Sequence, residues 1–332
     1  MPKLGRAWLV DWLLQHDWKH CLLQWALVLG FGLRVEGIEP EMSGTHRRVY
    51  SATWNDQAMV IMILVAPELG AFHAERAAYA LLQDSDLPVA QLLFSALRPR
   101  GLYLPTTIVS KLPGVLLDAV ALPHEQRLHL YRQAGALLAR LHTIRVRNFG
   151  PLSLQNGEYV GMYASWRDYW TELRMVETAG AYLHERGWLS HTELALLHEV
   201  GMRVRDTQFG QATLLHGDYR PAYLLTDGQR ITGIIDLADA LAGDPRYDVG
   251  ISLAFLSPSE QAAFREGYGP LADDPLVPCY TLLAAAHRLA FCSQIREQHG
   301  DRSGALTRIA SEMHRTLRET LANMTAAGAT SA

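Results

Sequence analysis

One stretch, Leu214 to Val249, constrains the chain more than any other: LLHGDYRPAYLLTDGQRITGIIDLADALAGDPRYDV. An apolar pair leads into His216-Gly217-Asp218, and a short apolar run follows at Tyr223-Leu224-Leu225. Asp227-Gly228 is a turn pair of the kind that joins two antiparallel strands. The second strand is expected over Ile231 to Ile235 and delivers Asp236 at its end. Gly243-Asp244-Pro245 then breaks the chain before a new helical pattern. The result is a small ribbon with one carboxylate before its first strand and another after its second.

Two carboxylates so placed suit phosphoryl transfer. Such a site needs one carboxylate to orient the attacking hydroxyl, a second to hold metal, and cations on the phosphates. Protein kinases place the first in a catalytic loop His-Arg-Asp-x-x-x-x-Asn. His216-Gly217-Asp218 fits its first three positions, and the Asn position falls on Tyr223. The stretch resembles the aminoglycoside phosphotransferases, kinase-fold enzymes that phosphorylate small molecules. His216, Gly217, Asp218, Ile235, Asp236, Gly243, Asp244, Pro245 and Asp248 match their pattern. Phe149-Gly150-Pro151 and Ser165-Trp166-Arg167-Asp168-Tyr169 are similar to the hygromycin B phosphotransferases within that family. The resemblance extends from roughly residue 20 to 325.

The resemblance implies a two-lobed, α+β, protein-kinase-like fold with a small antiparallel-sheet N-lobe and a mainly helical C-lobe. It implies ATP or GTP with Mg²⁺ as cofactors and a small-molecule hydroxyl as acceptor. Asp218 would be the catalytic base and Asp236 the metal ligand, with Asp239 close enough to contribute through water. Asp244 and Asp248 are expected to cap and brace the following helix. The expected division is 1–32 as an N-terminal helical extension, 33–111 as N-lobe, 112–325 as C-lobe and 326–332 as a frayed tail.

The nucleotide-facing parts follow in order. Arg34 to Ile38, Arg48 to Trp54 and Ala58 to Leu64 read as three antiparallel strands, with Asn55-Asp56 turning between the last two. In the turn Met42 to His46, Ser43, Gly44 and Thr45 would offer backbone N–H groups to phosphate. Ala71 to Gln83 has helical spacing and carries Glu75, at the place of the Glu that pairs with a kinase's phosphate-binding lysine. A solvated helix glutamate is the alternative. Ile108 to Gly114 resembles the family's hinge, where Val109 and Ser110 would meet the adenine and Lys111 is a surface charge.

Two departures from the family pattern matter. The third strand should carry the phosphate-pairing lysine, and the run Met59-Val60-Ile61-Met62-Ile63 puts Met62 in that place. Tyr223 replaces an amide carbonyl with a phenol of pKa about 10, a poor Mg²⁺ ligand at neutral pH. Arg47 or Arg48, beside the turn, would have to reach the phosphates instead, and Arg48 is the residue assigned to that contact. Three readings stay open: an active small-molecule kinase, a pseudokinase serving as a nucleotide-binding or scaffold module, and a ligand-binding protein that uses no nucleotide.

Composition narrows the partners. The net charge of −4 advertises no basic surface for nucleic acid. The cations are almost all arginine, since Lys3, Lys19 and Lys111 are the only lysines. Cys21, Cys279 and Cys292 form no Cys-x-x-Cys pair and read as buried reduced thiols, which fits the cytoplasm. Charged and polar residues interrupt the apolar N-terminal segments, so two amphipathic helices are expected there rather than a membrane span. Residues 115–210 read as mostly helix, including His124 to His142, Trp166 to Tyr182 and Glu193 to Thr207. Further helices are expected over Val249 to Leu256, Ser259 to Tyr268, Cys279 to Gln298 and Ser303 to Met324. Asp273 and Asp274, in a proline-rich loop, are candidates to receive a cationic acceptor.

Overall fold

A computed structural model describes residues 19–41, 47–65, 69–301 and 304–330. The chain forms two compact units. One holds the chain up to Gly114 together with Thr232–Asp239, and the other holds Val115–Ile231 and the chain from Ala240 onward. The division falls at Gly114 and Val115, where the sequence suggested 111 and 112.

In the first unit, helix α1 (Lys19–Phe31) precedes strands β1 (Glu36–Pro40), β2 (Arg47–Trp54) and β3 (Gln57–Leu64). Helix α2 (Gly70–Leu82) follows, then β4 (Leu92–Ala96) and β5 (Thr106–Ser110). The sheet runs β1-β2-β3-β5-β4, antiparallel throughout. Asn55 and Asp56 take φ of 50° and 61°, the left-handed pair that lets two residues join twisted strands. Leu23, Ala26 and Leu27 of α1 share one core with Tyr50, Met59, Ile61 and Ile108 of the sheet. The described part of the N-terminal extension therefore shares the core of this unit. The first of the two expected N-terminal helices lies outside the described residues. Helix α2 buries Phe72, Glu75, Ala78, Tyr79 and Leu82 and packs on a 3-10 turn, Leu237–Asp239, that returns from far down the chain.

The second unit begins with β6 (Val115–Leu116), α3 (His124–Leu141), β7 (Phe149–Gln155) and β8 (Glu158–Tyr163). Helices α4 (Trp166–Leu173), α5 (Met175–Glu185) and α6 (His191–Arg205) follow, then β9 (Thr213–Leu215) and β10 (Leu224–Thr226). The chain passes into the first unit within β11 (Ile231–Ile234). It returns for β12 (Leu241–Gly243), α7 (Arg246–Ala254), α8 (Pro258–Tyr268), α9 (Val277–His299) and α10 (Ala305–Thr330). Strands order β8-β7-β12-β9 in one sheet, and β10 pairs with β6 with Leu225 opposite Leu116. The core gathers Trp166, Trp170, Leu197, Leu241, Tyr280, Leu289 and Leu317. Helices α3 and α8 approach through glycine: a Cβ on Gly135 would collide with the Phe264 carbonyl, and one on Gly267 with the Arg132 carbonyl.

Several expectations need correction. Within the stretch read as mostly helix, residues 149–163 form a hairpin that turns at Asn156-Gly157. The helix expected over Trp166 to Tyr182 breaks at Arg174, whose φ is 48°. The turn between β10 and β11 spans residues 227–230 rather than two, with Asp227 Oδ1 accepting the N–H groups of Gln229 and Arg230. The final helix continues to Thr330, through most of the tail expected to fray. Cys279 and Cys292 are buried, but Cys21 is exposed. No helix of the described residues is long and apolar enough to cross a membrane.

Candidate active site

In the first unit two charged side chains meet between the sheet and α2. Arg47 Nη1 lies 2.6 Å from Glu75 Oε1, and the same nitrogen is 3.7 Å from Met62 Sδ. The register explains this. Val49 sits opposite Met62, so Arg47, two residues along, is Met62's diagonal neighbour on one face of the sheet. Arg48, the residue assigned to this role from sequence, leaves by the opposite face because strand side chains alternate. Of the two arginines, Arg47 is the one that stands beside Met62 and Glu75. Glu75 is 1% exposed, not solvated. Burial pushes its carboxyl up, against the opposing pull of Arg47 and a hydrogen bond with Thr107. Burial works to lower Arg47, but Glu75 and Asp236 together hold it above the ordinary arginine value.

Asp236 belongs to the same unit, and its field reaches Arg47, Glu75 and Tyr79. Its φ is 63°, a left-handed conformation that Asp tolerates better than most residues. Backbone of this kind clusters at ligand sites. Mg²⁺ is commonly held by one or two carboxylates with phosphate and water completing the shell, and Asp236 fits the single-carboxylate version. Among the described residues no group of three or more His, Cys, Asp or Glu forms an all-protein metal cage. Ser43, Gly44 and Thr45 lie outside the described residues. At the expected hinge, Val109 is buried in β5 opposite Val60. The Ser110 N–H donates to the Gln91 carbonyl and the Lys111 N–H to the Ala58 carbonyl. Those two N–H groups are engaged within the sheet, so neither is open to an adenine. Lys111 Nζ meets Glu41 Oε1 at 2.6 Å, both well exposed, as a surface charge should.

In the second unit the His216-Gly217-Asp218 loop is held from α7. Asp248 Oδ2 accepts the His216 N–H at 2.6 Å and Oδ1 the Gly217 N–H at 2.9 Å. His142, at the end of α3, faces the same carboxylate with Nε2 at 3.2 Å, and its Nδ1 is 2.7 Å from the Tyr268 hydroxyl. Asp248 is fully buried, so this charge is tolerable only because donors surround it. Its role is to brace the loop, not to cap a helix. Asp244, by contrast, does serve its helix, accepting the Arg246 N–H at 3.0 Å, and also the Tyr280 hydroxyl at 2.7 Å.

Asp218 is 2% exposed and stands between two arginines. Arg220 Nε donates to Oδ2 at 3.1 Å. Arg288 Nη2, from the middle of α9, is 2.6 Å from Oδ1 but out of hydrogen-bonding alignment, so Oδ1 accepts no hydrogen bond from the described residues. Arg220 Nη2 also donates to the Tyr223 hydroxyl at 2.8 Å, and its guanidinium lies 4.4 Å from the Tyr223 ring centre and 5.1 Å from that of Phe255. Tyr223, in the Asn position, thereby holds an arginine. The acids proposed to receive a cationic acceptor are already paired, Asp273 with Arg265 at 3.2 Å and Asp274 with Arg246 at 3.2 Å.

Sequence reading missed Arg220, Arg288 and His142. Arg220 was visible two residues past Asp218, and His142 ended the helix expected over His124 to His142. Arg288 carried no local signal, since only tertiary packing brings α9 to the loop.

A family model described as "Phosphotransferase enzyme family" matches residues 38–281. A curated relative, hygromycin-B 4-O-kinase of Escherichia coli, is 26% identical over 238 residues, covering 64% of this chain and 62% of the relative. The match thus spans less than two thirds of that relative's length. Among solved structures, a thermostable mutant of aminoglycoside phosphotransferase APH(4)-Ia in ternary complex with ADP and hygromycin B superposes with a TM-score of 0.66 at 20% identity, covering 90% of this chain and 97% of that one. The GDP and kanamycin complex of APH(2")-IIIa gives 0.60 at 18% identity, covering 92% and 99%. At such identities these structures show the fold, which is α+β and protein-kinase-like. The family match, by contrast, runs through the catalytic-loop stretch and most of the chain, and the protein belongs to the phosphotransferase enzyme family.

Proposed function

We propose that the protein transfers the γ-phosphoryl group of ATP or GTP to a hydroxyl of a small molecule. The observation that carries this reading is Asp218: a buried carboxylate on a braced loop, with Oδ1 accepting no hydrogen bond. A substrate hydroxyl donating to that oxygen would be oriented for attack and would give up its proton late. The acceptor oxygen bonds to the γ-phosphorus, the bond to the bridging oxygen breaks, and the nucleoside diphosphate leaves with the electron pair. Arg47 supplies the cation that the third strand lacks, with Glu75 fixing it. Magnesium, held by Asp236, would neutralise charge on the phosphates when bound.

The pseudokinase reading is favoured by one observation, Tyr223 bound to Arg220 where an amide ligand is expected. A thermal-shift titration with ATP, with and without Mg²⁺, separates the readings. The kinase requires a metal-dependent rise in unfolding temperature that Asp236→Ala removes. It also requires ADP release that falls about 10²-fold or more in Asp218→Asn. A metal-independent rise makes the protein a nucleotide-binding pseudoenzyme, and no rise makes it a binder of something else.

A further inference from the structure

Asp218 has more positive charge around it than it needs. Arg220 alone satisfies the requirement for a counterion: it donates to Oδ2, is tied to the Tyr223 hydroxyl and lies over two aromatic rings. Arg288 is surplus. It makes no hydrogen bond with any described residue, its side chain is 23% exposed, and its Nη2 touches the carboxylate edge without donating to it. A guanidinium does not lose its proton in a protein. The immediate surroundings of Asp218 therefore set one carboxylate against two fixed cations. Of the loop acids, Asp273 pairs with Arg265, and Asp274 shares Arg246 with the buried Asp244.

We propose that the acceptor bears an anionic oxyanion, a carboxylate or a phosphate, beside the hydroxyl it presents, and that Arg288 binds that group. The proposal rests on Asp218 being the carboxylate that meets the acceptor. An arginine fork with free donors suits a carboxylate or a phosphate. A polyamine would instead meet two guanidinium groups beside Asp218. An arriving oxyanion takes Arg288 off the Oδ1 edge and leaves that oxygen to the hydroxyl.

Thermal unfolding of the full chain at matched ionic strength tests this. The anionic probes are D-glycerate, D-gluconate and glycerol 3-phosphate; the neutral probes are glycerol and glucose; the cationic probes are kanamycin and hygromycin B. At least one anionic probe raises the unfolding temperature, and neutral and cationic probes do not. Carboxylate-only or phosphate-only shifts identify the oxyanion. Arg288→Met weakens the apparent affinity for that probe about tenfold or more, and Arg288→Lys restores part of it. Unliganded unfolding reports whether each variant is folded. No anionic shift, a shift unchanged in folded Arg288 variants, or a larger shift with a cationic probe overturns the proposal. A parallel titration with Mg²⁺ and ATP keeps the two readings apart: its failure removes the kinase and leaves the anion site standing.

Discussion

Arg47 reaches Glu75 from β2, whereas the family pattern supplies that cation from β3. The exchange works because Arg47 and Met62 share a sheet face, and one guanidinium nitrogen touches both the carboxylate and the thioether. The missing lysine was legible in the sequence, because Met62 carries no charge. The choice between Arg47 and Arg48 was not, because it depends on the register of β2 against β3. Tyr223 was likewise readable as a lost amide but not as a support for Arg220, which needs the loop's three-dimensional path. Arg47→Met leaves Glu75 buried without its cation and should lower stability by about 3–5 kcal/mol. Adding Met62→Lys should recover a substantial part, since a lysine there starts beside the same carboxylate. Urea unfolding of both variants measures this, and a double variant no more stable than the single would refute the idea of an exchanged cation.

At the scale of elements, the sequence was most misleading where strong helices surround a weak strand pair. Leu152, Leu154, Tyr159 and Met162 flank Asn156-Gly157, whose φ values are 52° and 85°. That dipeptide is a hairpin signal in its own right, but neighbouring helical periodicity masked it. Helix α6 was legible in type but not in its start. It begins with a capping box in which the Glu193 N–H donates to Ser190 Oγ at 3.2 Å and the Ser190 N–H donates to Glu193 Oε2 at 2.8 Å. The Ser190 N–H, followed by its hydroxyl and Arg318, holds the Glu193 carboxyl below its ordinary value of 4.5. The folded state therefore favours the ionised form. Its contribution is complete above pH 4.5 and is lost as pH falls through the lower folded value. Glu193→Gln should cost about 0.5–1 kcal/mol at neutral pH, with solvent screening included. Unfolding midpoints for the two proteins should converge as the solution is acidified below the ordinary carboxylate range. A gap that persists there would assign the effect to packing.

For the whole molecule, the two-unit division cuts across chain order. Thr232–Asp239 belongs with the residues before Gly114, tied by the Ile234 N–H to the Pro88 carbonyl at 2.8 Å and by the Thr232 hydroxyl to the Pro113 carbonyl at 2.6 Å. Sequence placed the ribbon wholly in the second unit, because contacts over so long a separation leave no local trace. A chain ending at Gly114 would lose those bonds and the turn on which α2 packs. It should show a broad, weakly cooperative thermal transition and bind a hydrophobic dye. A sharp native-like transition would show that the returning segment is dispensable.

Asp236 arrives on that returning segment, while Arg47 and Glu75 lie before Gly114 in the chain. A single recombination crossover between residues 114 and 232 would transfer the cation and its glutamate to a new background and leave the aspartate behind. Inheritance of this trio as a working set thus requires the crossover to fall beyond Asp239, so that much of the second unit travels with it. Evolutionary shuffling of the first unit is harder here than its compactness suggests.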